Sequence, residues 1–170
     1  MKKLILLIIS VLFLMSCDIH PDDPELLNND EHAIISAVLD SLMQLSIPES
    51  INIYDQTSTL INCASLNIAF ERDSIHADSL IKNYYDSNRI PYSLNIDKLP
   101  DYVVLKDTEE SDPFSGYIAF SRPAICNNGL FALVEYHSMS APFAGSGTAV
   151  VLEKQNHKWI IIWQDIMWIC

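Results

Sequence analysis

From Gly116 to Cys170 the chain reads as antiparallel sheet, and this stretch limits the possible folds more than anything before it. All four glycines fall between residues 116 and 147, where turns and strand ends gather. Tyr117–Arg122 is apolar and aromatic, as a half-buried strand requires. Asn127-Asn128-Gly129 then supplies the positive-φ residues of a tight hairpin, and Leu130–His137 returns. A loop with Pro142 and Gly145 is expected over 138–146. Thr148–Lys154 follows, then a turn at Gln155-Asn156-His157 and a last strand, Trp159–Trp168. Trp159, Ile161 and Trp163 recur at period two, the spacing of a core-facing row. The expected unit is a four-stranded antiparallel meander.

The first half is helical in outline. Asn29 or Asp30 can cap a helix running to about Leu45. Its apolar positions Ile34, Ala37, Val38, Leu42 and Leu45 form one stripe, and Pro48 ends it. Ile51–Tyr54 alternates as a short strand. Residues 56–73 fit strand or helix equally. A second helix spans about 74–87, with Ala77, Leu80, Ile81, Tyr84 and Tyr85 on one face. Residues 92–112 look irregular around a strand at Tyr102–Leu105. Both helices are expected on one face of the meander, an α+β domain. An NTF2-like or cystatin-like domain is an analogy of fold only.

The N-terminus has a different character. Lys2 and Lys3 precede an apolar run from Leu4 to Met15, the layout of a secretory signal peptide. The run falls short of the roughly 20 apolar residues that span a bilayer. Leu14-Met15-Ser16-Cys17 resembles a lipobox, which implies cleavage before Cys17 and lipid on its sulfur. Residues 1–16 then form the signal, 17–28 a lipidated acidic tether, and 29–170 a single domain. A lipid anchor implies the membrane as a partner. Asp18 resembles an inner-membrane retention signal, whereas Asp22-Asp23 loosely resembles a surface-export signal. The expectation is an outer-membrane location.

Loss of Lys2 and Lys3 leaves 8 basic against 22 acidic residues, a formal charge of −14. Such a surface repels nucleic acid and anionic headgroups. Cys63, Cys126 and Cys170 remain, and two of them can pair in an oxidising envelope. The alternative is buried thiols acting as small apolar groups.

The segment Ser115–Cys170 resembles the C-terminal part of a group of small uncharacterised bacterial lipoproteins. The matching pieces are Ser115–Arg122, Ala132–Tyr136, Gly145–Gly147, Leu152–Lys154, Lys158-Trp159 and Trp168-Ile169. Relatives often carry two cysteines before the Gly-Ser-Gly, where this chain has Ser140 and Ala144. They also tend to end in serine where Cys170 stands. The resemblance implies fold and address, and it carries no activity.

Gly145-Ser146-Gly147 lacks the Gly-x-Ser-x-Gly spacing of a hydrolase elbow, and a strand follows it. Glu135 and His137 lie two apart on a strand, so their side chains share a face. A carboxylate-oriented histidine serves as general base or metal ligand, and Ser138 and Ser140 are close in sequence. The simpler expectation is two polar residues on an outer strand face. Tyr84, Tyr85 and Tyr92, with Met139 and Phe143, can line a cleft between helix and sheet. Asp73 and His76 suit helix capping, while His20, His32 and His157 are scattered. No spacing matches a zinc signature or a nucleotide loop, so no metal or cofactor is expected. The function expected is a non-catalytic module binding an envelope protein or small ligand. The alternative is a small hydrolase or lyase using His137 and Glu135.

Overall fold

The computed structural model describes residues 25–45, 49–59, 77–107, 116–126, 128–141 and 144–170. Cys17 and its signal, Cys63, Asp73, His76, Phe143, residues 18–24 and most of the undecided stretch lie outside the described residues. The elements are α1 (Asn29–Leu45), β1 (Ile51–Tyr54), α2 (Ala77–Ser87), β2 (Val103–Lys106), β3 (Tyr117–Phe120), β4 (Ala124–Ile125), β5 (Phe131–Ala141), β6 (Ala144–Gln155) and β7 (Lys158–Ile169). No helix among the described residues is long and apolar enough to cross a membrane.

The class is α+β, as expected, but the sheet is larger than a four-stranded meander. Seven strands join in one mixed sheet, ordered β2-β1-β3-β5-β6-β7, with β4 also paired to β5. β1 runs parallel to both β2 and β3, while the pairs from β3 onward are antiparallel. The expected loop over 138–146 is strand at both ends, since Ser138 pairs with Ser146 and Met139 with Gly145. Serine and glycine hide these strand ends, because they carry no apolar alternation. The turn at 155–157 forms as expected, with Asn156 and His157 at φ of 48° and 64°. Two successive positive φ values suit the right-handed twist of the flanking strands.

The two helices do not share a face. Ala132 and Val134 of β5, with Val150 and Leu152 of β6, pack against Ile34, Ile35, Val38 and Leu39 of α1. The alternate residues Leu133, Ala149 and Val151 pack with Leu80 and Tyr84 of α2. Side chains alternate across a strand, so α1 and α2 cover opposite faces. β5 and β6 are therefore buried on both sides, which explains their near-continuous apolar runs.

The final strand departs from strict period two. Val151 pairs with Trp163 and Leu152 with Ile161, leaving Ile162 as an extra residue. This bulge flips the side chains beyond it to the other face. Trp159 and Ile161 accordingly pack on the α1 side, whereas Trp163 packs on the α2 side. The expected three-residue row is split.

The cap of α1 is Asn28, one residue before the expected Asn29 or Asp30. The Asn28 side chain accepts from the Glu31 backbone N–H at 3.0 Å, and Glu31 Oε2 accepts from the Asn28 N–H at 2.7 Å. This reciprocal arrangement satisfies two orphan donors of the first turn and is worth about 1 kcal/mol. The segment before it belongs to the fold. Leu27 is buried, and it and Glu25 exchange backbone bonds with Ser93.

Candidate functional site

On the α2 face, three titratable side chains converge. Tyr84 donates its hydroxyl to Glu135 Oε2 at 2.9 Å, and His137 Nε2 lies 3.0 Å from Glu135 Oε1. Glu135 is 1 % exposed and Tyr84 is fully buried. The expectation of an outer-face pair is therefore corrected, because α2 lies over this face. Tyr84 and His137 thus engage opposite oxygens of the Glu135 carboxyl.

The break between β3 and β4 fixes this cluster. Ser121 N–H donates to the Glu135 carbonyl at 2.8 Å, and Glu135 N–H donates to Ser121 Oγ at 2.8 Å. Asn88, just past α2, donates to the carbonyls of Tyr84 and Arg122 and accepts from Arg122 N–H. The end of α2 is thus tied to the same break.

His137 closes the row. Its cross-strand neighbours are Ala119 and Gly147, both small. A Cβ on Gly147 would overlap the Trp168 indole, so glycine there admits the indole edge-on to His137, with ring centroids 5.2 Å apart. The serines proposed from the sequence do not join this group. Ser138 lies on the alternate face, and Ser140 Oγ donates to the Ala144 carbonyl. The tyrosines also divide: Tyr84 packs under α2, whereas Tyr92 belongs to the α1 core. Tyr85 is half-buried and edge-on to Tyr84.

The α1 face holds a second polar group that sequence reading missed. Arg122 Nε donates to Glu31 Oε1 at 2.6 Å, and its guanidinium lies 3.6 Å from the centre of the Tyr92 ring. His32 is buried. Its Nε2 accepts from the Asn95 N–H at 2.9 Å, so Nδ1 carries the proton donated to the Asn28 carbonyl at 2.8 Å. Both ring nitrogens are used internally. The usable signal was Asn28-x-x-Glu31, the spacing of a capping box.

A cleft of 460 Å³ opens beyond the C-terminal part of α1. Leu42, Ile51 and Ile118 supply aliphatic surface, and Tyr136, Ser138 and Ser146 supply hydroxyls. Ser138 and Ser146 are direct cross-strand partners. Asn52 also lines the cleft and holds the Gly116 carbonyl with its amide. Among the described residues, none that lines the cleft is Asp, Glu, Lys, Arg or His. Nearby, Tyr117 stacks on Tyr54 with centroids 4.2 Å apart. Burial first, then the hydrogen bond and charge of Tyr54, push the Tyr117 phenol up to about 12.

Cys126 and Cys170 are both free thiols, the first buried and the second exposed. Cys126 donates to Asn128 Oδ1 and accepts from the Phe131 N–H within the β4–β5 turn. Among the described residues no three His, Cys, Asp or Glu side chains converge to hold a metal. No protein-family model matches this chain, and searches of curated proteins and of solved structures find no significant match.

Proposed function

We propose that the chain is a cell-envelope lipoprotein, anchored through lipid on Cys17, whose domain binds a small ligand rather than transforming one. The anchor and an outer-membrane location rest on the Leu14–Cys17 pattern and the acidic residues after it. The cleft beside α1 carries the binding reading. It has the roughly 300–1,000 Å³ volume of small-ligand sites, and its described walls offer hydroxyl and amide groups without an acid–base pair. Beyond a helix laid across a largely antiparallel part of a mixed sheet, the NTF2-like or cystatin-like analogy gains nothing, and α2 on the opposite face departs from it.

A second reading, a hydrolase or lyase, is favoured by one observation, the 3.0 Å contact between Glu135 and His137. Against it, both side chains are buried and the carboxylate is engaged at each oxygen. A general base has to reach the proton it removes. Ester, phosphoester and peptide probes should show no turnover that His137→Gln removes. Turnover lost in a folded His137→Gln protein would overturn the binding reading. For the anchor, Cys17→Ser should leave the signal uncut and the protein without lipid. Processing before residue 17 with membrane attachment intact would refute it.

A further inference from the structure

We propose that the cleft beyond α1 takes a neutral saccharide, an inference that rests on the cleft being the binding site. Charge comes first. The chain carries 22 acidic and 10 basic residues, yet among the described residues no charged side chain lines the cleft. A charged ligand entering it would lose water and find no counter-charge among these lining residues. An anion would also meet the repulsive field of the whole protein.

The walls then select among neutral ligands. Ser138, Ser146 and Tyr136 present hydroxyls, each able to donate and to accept. Ser138 and Ser146 are cross-strand partners and Tyr136 pairs with Thr148, so the hydroxyls form a short ladder on one face of the sheet. A purely apolar ligand would cover these groups without pairing them, which costs binding free energy. Beside them on the same sheet face lie Ile118, the cross-strand partner of Ser138, and Ile51, and Leu42 of α1 adds further surface for C–H groups. A pyranose has both characters, hydroxyls around its rim and C–H bonds on its faces.

A peptide fits less well. Peptides commonly bind by adding a strand to a free sheet edge. At this cleft β1 and β3 pair with each other, and the Gly116 carbonyl is already held by Asn52.

The test is methyl NMR on the full chain in a detergent without a sugar headgroup, observing Leu42, Ile51 and Ile118. Glucose, maltose and di-N-acetylchitobiose would be titrated, with N-acetylneuraminate and tetra-alanine as anionic and peptide controls. A neutral saccharide should give saturable shifts at these methyls. Ser138→Ala and Ser146→Ala should each weaken binding roughly two- to tenfold, the loss of one neutral hydrogen bond, without changing the melting temperature. Saccharide shifts indifferent to both substitutions would overturn the hydroxyl wall. Saturable shifts from tetra-alanine or N-acetylneuraminate alone would overturn the saccharide and leave a binding cleft standing. No saturable shift with any probe would overturn both.

Discussion

Two glutamates are buried on opposite faces of the sheet, and their partners differ in kind. Glu31 on the α1 side meets a guanidinium, which keeps its proton throughout the working range. Glu135 on the α2 side meets a phenol and an imidazole. Adjacent residues at the β3–β4 break serve both, for Ser121 bonds the Glu135 backbone while Arg122 pairs with Glu31. Burial of a carboxylate therefore does not by itself mark a reactive site. One of these is a charge pair locking a helix start, and the other is held by hydrogen bonds to a phenol and an imidazole.

The largest expected effect tests the charge pair. Arg122→Met keeps an aliphatic stem on Tyr92 but leaves Glu31 buried without its cation. Removing one partner of a buried ion pair typically destabilises by about 3–5 kcal/mol. Urea denaturation should show that loss in the midpoint with an unchanged slope. Adding Glu31→Leu should recover much of it, apart from the lost cap. A loss under about 1 kcal/mol from Arg122→Met would mean that the pair behaves as a surface one, and the contrast between the two faces would collapse.

A smaller effect is expected on the other face. Tyr84→Phe preserves the buried ring and removes one hydrogen bond to a carboxylate, about 1.5–3 kcal/mol. Combined with Glu135→Gln, the two losses should fall short of their sum by at least about 0.5 kcal/mol, because the residues are in contact. Strict additivity would show that the 2.9 Å contact carries no coupling.

Sequence reading reached the elements more readily than their arrangement. Ile34, Ala37, Val38 and Leu42 of the α1 stripe, Leu80, Ile81, Tyr84 and Tyr85 of α2 and the Asn156-His157 turn are local patterns that formed, with Ile35 and Leu39 buried beyond the expected stripe. The strand at Tyr102–Leu105 formed one residue later, as Val103–Lys106. Which face each helix takes was not legible from alternation, because Phe131-Ala132-Leu133-Val134 is apolar on both sides. That same run does signal a strand buried on both faces, which would have removed the outer-face reading of Glu135 and His137. The bulge at Ile162 left no mark in an apolar stretch. Arg122 and Glu31 lie 91 residues apart, so only the fold brings them together. Of the described residues expected to line a cleft between helix and sheet, Met139 lines this one, whereas its serine wall was hidden because serines at strand ends look like loop.

The smallest effect repeats the Tyr84–Glu135 pairing near the surface. Tyr102 donates to Asp40 Oδ1 at 2.6 Å, and burial first, then that bond and the Asp40 charge, raise its phenol above the ordinary value of 10.0. Tyr117 is raised to about 12 by burial and by Tyr54. The sign follows from proton counts. Above about pH 10 the unfolded chain releases these protons while the folded chain keeps them, so stability falls as pH rises. The contribution is fully present below pH 10 and, for Tyr117, is lost through about pH 12. Phenolate absorbance during alkaline titration should show late-ionising tyrosines among the seven in the chain. Tyr102→Phe and Tyr117→Phe should each remove one of them. If Tyr102 ionised at the ordinary value, its bond to Asp40 would not survive in solution. A phenol–carboxylate pair would then need the deep burial of Tyr84 and Glu135 to hold, which would sharpen the difference between the α2 face and the rest of the molecule.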